Sequence, residues 1–364
     1  MGEAVTRTRA LLDPTFWQGR RVFLTGHTGF IGGWTAAMLH RFGARLHGYA
    51  LPPPTSPSFF DLTGLRHRLN STIADVRDRR ALAEAFAIAE PDLVLHLAAQ
   101  PLVGVGYANP VETFEVNVLG TVNVLECMRA RGAGAIVVMT TDKVYHDAHS
   151  KNDEDDRLGG RDPYGGSKVC SEIAAEVYAR SFLTQAGVPL ATVRAGNVVG
   201  GGDWAKDRLI PDAVRAFGAG QPLPLRHPDA ARPWQHVLDA VYGLLLVAQR
   251  TRTRVAAEPE AWNVGPPVGR TMTVGQIATL AASAWGAGAE VIRDKAVFFP
   301  ESQILTLSSQ RIRRELGFAE PWDLPQILLR TMTWYRRALA GDDAWALSQH
   351  EIDDYLAAAV APGG

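Results

Sequence analysis

The chain has 364 residues, 46% of them hydrophobic and 21% charged, an ordinary globular composition that excludes a disordered protein. Its 37 Lys and Arg balance 38 Asp and Glu, so no global field exists to hold nucleic acid or an anionic membrane. The only cysteines, Cys127 and Cys170, are too few for a disulfide framework and lack metal-ligand spacing; they read as buried thiols in a reducing compartment, with no metal site.

The opening residues show no apolar signal core, and no apolar run reaches the roughly 18 residues of a membrane span, so the expected location is cytoplasmic. In chain order, Arg21–Thr25 reads as a strand, 32–42 as a helix ending at Gly43, and Arg45–Ala50 as a second strand. Helical spacing follows at 82–89, a buried strand at 93–97, a long helix at 111–131 and another buried strand at 135–140. A second long helix covers 164–183 and a further strand 190–194. Continuous apolar strands between amphipathic helices predict an α/β fold: a Rossmann-like, doubly wound parallel sheet, with ligands beyond the carboxyl ends of its strands. After about Gly200, Gly and Pro become frequent and the elements are expected to shorten into a smaller substrate-facing lobe. The expected division is 14–200 for the dinucleotide-binding domain, with 233–265 returning to it, and 201–232 plus 266–355 for the lobe. The acidic run 152–156 reads as a solvated loop, and 360–364 as a fraying end.

Directly after the first strand stands Gly26-His27-Thr28-Gly29-Phe30-Ile31-Gly32. Strand, glycine-spaced turn and helix in one unit let backbone approach a pyrophosphate at a helix N-terminus, so this is the expected dinucleotide site. The second strand runs through Leu51 into Pro52-Pro53-Pro54 with neither the acid that favours NAD nor an Arg that favours NADP, so that position does not choose between them. Asp75, followed by Val76, is placed either to meet the adenine or to cap a turn.

Three pieces carry chemistry. Thr141-Asp142-Lys143 ends a buried strand, Tyr164 and Lys168 share a helix face at i and i+4, and Asn117 lies on the helix before the Thr141 strand. An ammonium beside a phenol stabilises the phenolate, so Tyr164 is a candidate base and Lys168 the group that tunes it.

The glycine spacing, Leu97-Ala98-Ala99-Gln100, the Thr-Asp pair and Tyr-x-x-x-Lys resemble the extended short-chain dehydrogenases that act on nucleotide sugars. Residues 16–21, 26–30, 97–102 and 158–164 resemble more closely the CDP-glucose 4,6-dehydratases, as do Arg232-Pro233-Trp234-Gln235-His236-Val237 and 262–266. The most specific match is the long motif from Arg194 through Gly200-Gly201-Gly202-Asp203-Trp204 to Asp212, and the likeness spans about residues 14–355. It implies NAD as cofactor, held by Gly26, Thr28, Gly29, Phe30, Ile31, Gly32, Asp75, Val76, Leu97, Ala98, Ala99, Asn117, Tyr164 and Lys168. It further implies that Tyr164 takes the C4 hydroxyl proton while Thr141 hydrogen-bonds that oxygen, that Asp142 protonates the leaving 6-hydroxyl, and that Lys143 removes the C5 proton. Lys143 reads alternatively as an ion-pair partner of Asp142 or of a substrate phosphate. Gln100, Asn197, Arg208, Leu209, Ile210 and Arg232 are the expected substrate contacts, with Arg forks on the diphosphate and Leu209 and Ile210 flanking a pyrimidine. Where relatives more often carry Ser, the chain has Gly165 and Gly166, and residues 146–153 are shorter and less aromatic than usual for the family.

Two rival readings share the fold. A nucleotide-sugar 4-epimerase or decarboxylase would keep NAD, Tyr164 and Lys168 but would not need an acid directly after Thr141. A non-catalytic dinucleotide-binding scaffold would be expected to lose Tyr164 or Lys168, and both are present. The helices at 111–131 and 164–183 resemble those that pair into a four-helix dimer interface, so a homodimer is expected, with Val118, Val122, Ile173 and Val177 in the contact or else on the sheet.

Overall fold

Seven strands run parallel in one sheet: β1 Arg21–Thr25, β2 Arg45–Ala50, β3 Asn70–Ile73, β4 Leu93–His96, β5 Ile136–Thr141, β6 Leu190–Ala195 and β7 Glu260–Val264. In space their order is β7-β6-β5-β4-β1-β2-β3. This is a computed structural model, and it describes residues 12–132, 134–147, 151–254, 258–293 and 305–360. The opening segment 1–11, residues 148–150 of the loop at 146–153, and 361–364 of the expected fraying end lie outside the described residues.

The chain winds outward from β1 in both directions, so β1 and β4 are neighbours with Val22 beside Leu93 and Thr25 beside His96. Their crevice is the topological switch point, where a doubly wound sheet takes its ligand. Both faces of the sheet are covered because its strands are apolar on both sides. Val22 and Leu24 face one core and Phe23 the other. Each such side chain contributes about 1.5–3 kcal/mol relative to exposure.

Helices α1 (Phe30–Arg41), α2 (Arg79–Ala89), α3 (Gly120–Arg131) and α4 (Pro163–Tyr178) connect these strands. The expected helix at 111–131 is interrupted. Pro110–Phe114 is α-helical, Glu115–Leu119 forms a π-helical turn, and α3 follows. A second π-helical turn, Ala179–Leu183, ends α4. Such turns re-aim one residue within a helix and recur at functional sites.

The second half departs from expectation. Apart from β7 its strands do shorten, to two or three residues as at Leu223–Leu225, Gln235–His236 and Val291–Arg293, but its helices do not: α5 (Leu209–Gly218), the 17-residue α6 (Val237–Thr253), the 16-residue α7 (Leu324–Leu339) and the 17-residue α8 (Ala344–Val360). Val237, Leu238, Val241, Leu244 and Leu245 of α6 are buried in the same core as Val22 and Leu24. β7 extends the sheet, with Trp262 beside Val193. Helix α8, within the stretch expected to form the substrate-facing lobe, lies instead against α1 through Arg41–Asp353 at 2.9 Å and the Gln349 side chain on the Ala37 carbonyl. The frequency of Gly and Pro marked the turns and short strands here, not the lengths of the helices between them. Among the described residues, no helix is long and apolar enough to cross a membrane.

Candidate active site

The cradle at the switch point follows from two glycines. Gly26 has φ +79°, and a Cβ there would stand 2.8 Å from the Ala98 nitrogen; a Cβ on Gly32 would stand 2.0 Å from the Gly26 carbonyl oxygen. Only glycine lets β4, the turn and α1 approach this closely. Helix α1 starts at Gly29 with no side chain capping it, so the first N–H groups of Phe30, Ile31 and Gly32 sit at an uncapped positive helix end. Thr28 Oγ1 donates to the Leu51 carbonyl at 2.9 Å and ties the turn to the end of β2. Thr25 Oγ1 accepts from the Leu97 and Ala98 N–H groups, both at 3.1 Å, and pins the end of β4 beside β1. Close backbone approach plus free N–H donors is the donor set a dinucleotide pyrophosphate requires.

Farther along the crevice, both Asp75 carboxylate oxygens are held by Arg77, with Nη2 at 2.6 Å, and Arg77 also reaches Glu115. The Arg77 hydrogen bonds keep the Asp75 carboxyl below the usual range. Val76 is buried, and its side chain fills the space that a Cβ on Gly120 would enter. Asn117, inside the π-helical turn, uses its carboxamide on protein: Oδ1 accepts from Gln100 N at 2.8 Å, and Nδ2 donates to Gln100 O at 3.1 Å and Ser167 Oγ at 2.8 Å. It thereby joins Leu97-Ala98-Ala99-Gln100 to α4. The Gln100 side chain is likewise engaged, with Thr113 Oγ1 at 2.9 Å and Leu102 N at 2.7 Å.

Strand β5 delivers Thr141, Asp142 and Lys143 to the same end of the sheet. Thr141 Oγ1 accepts from Lys143 N at 3.3 Å and starts a single 3-10 turn, Asp142–Val144. Asp142 is buried; its Oδ1 accepts from Thr141 Oγ1 at 3.1 Å, while Oδ2 has no hydrogen-bond partner among the described residues. Burial pushes this carboxyl up, against the opposing charges of Lys143 and Arg232. Lys143 Nζ does not pair with Asp142 but stands 3.6 Å from Asp162 Oδ2, at the N-cap of α4.

Tyr164 opens α4, and its phenol is pushed up to about 12 by burial, opposed by a Thr141 hydrogen bond and the Arg208 charge. Lys168 Nζ donates to the Met139 carbonyl at 3.0 Å, and burial pushes its ammonium down to about 8. The i,i+4 spacing places Tyr164 and Lys168 on one helix face, and the lysine stem extends under β5.

Arg208 Nη1 pairs with Asp203 Oδ2 at 2.8 Å. Leu209 is half-buried at the start of α5, whereas Ile210 is in the core with Ala213, Val214 and Phe217, so Ile210 does not face a base. The reason is the amphipathic phase of α5, which turns those positions inward. Arg232 is buried, donates to the Ala231 carbonyl at 2.9 Å, and acts on Asp142. Asn197 is half-buried, and its carbonyl accepts from Gln235 N at 2.9 Å.

Sequence reasoning missed a buried polar group beneath this site: Tyr145, Glu172, Arg194 and Asn263. The available signal was an Arg and an Asn inside otherwise apolar strands. The run at 152–156 is not simply solvated, since Asn152 and Glu154 are buried and Glu154 Oε1 accepts from Asn263 N at 2.9 Å.

Comparisons with known proteins agree with this architecture. Residues 22–265 match the model of the NAD dependent epimerase/dehydratase family. The chain is 42% identical over 356 residues to a CDP-glucose 4,6-dehydratase of Salmonella typhimurium, covering 96% of this chain and 99% of that one. It is 30% identical to a dTDP-glucose 4,6-dehydratase of Streptomyces griseus over 73% of this chain and 76% of the relative. Among solved structures it resembles the dTDP-glucose 4,6-dehydratase DesIV of Streptomyces venezuelae, determined with NAD and TYD bound, with a TM-score of 0.74, 26% identity, and coverage of 87% of this chain and 97% of that one.

Proposed function

Because the chain belongs to the NAD dependent epimerase/dehydratase family, we propose that it is a nucleotide-sugar 4,6-dehydratase converting CDP-glucose to CDP-4-keto-6-deoxyglucose with loss of water. The observation that carries dehydration over epimerisation is Asp142, a buried carboxyl directly after Thr141 with one oxygen free and its proton held more tightly than usual. An epimerase needs no acid there; elimination of a hydroxyl does.

NAD supplies a hydride acceptor at C4 and the hydride that C6 later receives. The uncapped start of α1, with Gly26, Thr28, Gly29, Phe30, Ile31 and Gly32, would hold its pyrophosphate, Asp75 and Val76 its adenine end, and Leu97, Ala98, Ala99, Tyr164 and Lys168 its nicotinamide end. Tyr164 takes the C4 hydroxyl proton, and Thr141 hydrogen-bonds the same oxygen. With a ketone at C4 the C5 proton becomes acidic; Lys143 removes it and Asp142 protonates the departing 6-hydroxyl. Arg208, Arg232 and Asn197 contact the nucleotide end, with Leu209 beside the pyrimidine. The cofactor-binding part is residues 14–200 with 233–265, and 201–232 with the part of 266–355 that precedes α8 border the sugar.

The protein acts as a homodimer in the cytoplasm. Free Cys127 and Cys170 support a reducing compartment. Val111 (72% exposed), Leu119 (55%), Ile173 (51%) and Val177 (52%) support the dimer, since they leave apolar side chains exposed on both long helices.

The test is incubation with CDP-glucose, dTDP-glucose, UDP-glucose and GDP-mannose, with and without added NAD, following substrate mass. Loss of one water from CDP-glucose without net NADH is the expected outcome. A change of sugar stereochemistry without water loss would move the protein to the epimerases.

A further inference from the structure

The segment that carries the candidate acid and base is fastened at both ends to one buried ion pair. Glu172 lies on α4, one turn beyond Lys168. Its carboxylate accepts from Thr140 Oγ1, from Thr192 Oγ1 at 2.8 Å, and from Arg194 through Nε and Nη2, both at 3.0 Å. The remaining nitrogen of that guanidinium, Nη1, donates to Tyr145 Oη and to the Glu154 carbonyl, both at 3.0 Å. Tyr145 Oη donates onward to Asn263 Oδ1 at 2.6 Å. Asn263 Nδ2 then holds the Asn152 and Ser308 carbonyls at 3.2 and 3.0 Å. Thr140 and Tyr145 bracket Thr141, Asp142 and Lys143.

Stability is a poor reason for such a pair, because desolvating two ions offsets most of their attraction. What it provides is geometry. The Glu172 carboxylate joins the helix of Tyr164 and Lys168 to the end of β5, and the Arg194 guanidinium reaches past Asp142 and Lys143 to the far side of their turn.

We propose that Glu172, Arg194 and Tyr145 are positioning residues that divide the reaction: the Glu172 end sets the groups for C4 oxidation, and the Tyr145 end sets Asp142 and Lys143 for elimination. The inference rests on the dehydratase reading above. Thr141 adjoins Thr140, and Tyr164 shares its helix with Glu172, so both oxidation groups are anchored at the Glu172 end. Asp142 and Lys143 lie in the 3-10 turn whose exit is fixed by the Tyr145 hydroxyl. Tyr145 touches no reacting atom; it acts through that turn.

The experiment is a single turnover of NAD-loaded enzyme with CDP-glucose, reading reduced nicotinamide by its near-ultraviolet absorbance and product by mass. In Tyr145→Phe, which keeps the ring and removes only the hydroxyl, product formation is expected to fall about 10- to 100-fold. Bound NADH should appear early and decay only as product forms, because oxidation outruns elimination. In Thr140→Val, NADH appearance itself should slow, with no build-up. The proposal is overturned if Tyr145→Phe turns over like wild type, loses activity without NADH build-up, or behaves as Thr140→Val does. If Tyr145→Phe does not fold by circular dichroism, Thr140→Val decides alone, and wild-type turnover by it overturns the proposal. Wild-type enzyme that removes water from none of the four nucleotide sugars sinks the dehydratase reading itself, and this inference with it; water loss from another of them moves the single turnover to that substrate.

Discussion

Asp142 is buried and Tyr164 half-buried, and desolvation acts on them in ways that pull the two half-reactions apart. The Asp142 carboxyl is raised by desolvation and must be protonated to act as an acid; the Tyr164 phenol is raised to about 12 and must lose its proton to act as a base. Raising the pH therefore populates the working form of Tyr164 and depletes that of Asp142, so oxidation gains while protonation of the departing 6-hydroxyl fades. The steady-state fraction of enzyme carrying NADH should rise from neutral to alkaline pH, followed by absorbance during turnover. Asp142→Asn should build up NADH already at neutral pH and lose about 10²- to 10⁴-fold in product formation, the usual range for removal of a general acid. Asp142 was legible in the sequence because it directly follows Thr141. The position of Lys168 was not, because helical spacing fixes the face from which a lysine starts but not where its flexible stem ends.

At the scale of the element, adjacent glycines at the start of α4 have different reasons to be there. A Cβ on Gly165 would stand 2.8 Å from the Lys143 carbonyl oxygen, a backbone atom that can yield only if the Asp142–Val144 turn moves. A Cβ on Gly166 would meet nothing nearer than a Phe114 ring carbon at 3.8 Å. Gly166→Ala is therefore expected to keep full activity and raise stability by up to about 1 kcal/mol, from the lower helix cost of alanine. Gly165→Ala should lose roughly 10- to 100-fold in turnover through a displaced Lys143. Thermal melts and steady-state rates on the pair check both statements. From the sequence, the two positions were indistinguishable departures from Ser. Only the approach of β5 to α4 separates them, and that is a tertiary fact. The strands and helices before Gly200 were legible because they alternate continuous apolar runs with amphipathic spacing. The π-helical turn that aims Asn117 was not, since one extra residue per turn leaves the apolar pattern almost unchanged.

At the scale of the whole molecule, the sequence left two destinations for Val118, Val122, Ile173 and Val177, the sheet or a second copy. In the fold, Val124, Leu125 and Met128 take the sheet side of α3. Val118 and Val122 are only half-buried, and Ile173 and Val177 are more than half exposed. Val118, with Val111, Phe114 and Leu119 of the first long helix and Cys170 of α4, borders an apolar groove. Burying each large side chain against a partner is worth about 1.5–3 kcal/mol, and a carboxylate placed among them without a cation opposes burial strongly. Ile173→Asp should therefore shift the protein to monomer in sedimentation velocity while leaving its circular dichroism unchanged, because position 173 contributes little to the core of its own chain. A wild-type protein that sediments as a monomer would remove the dimer and leave this face without its assigned occupant. The candidate catalytic groups would be untouched by that result, since Tyr164, Lys168 and Thr141 are supported from within one chain by Asn117, Glu172 and the end of β5.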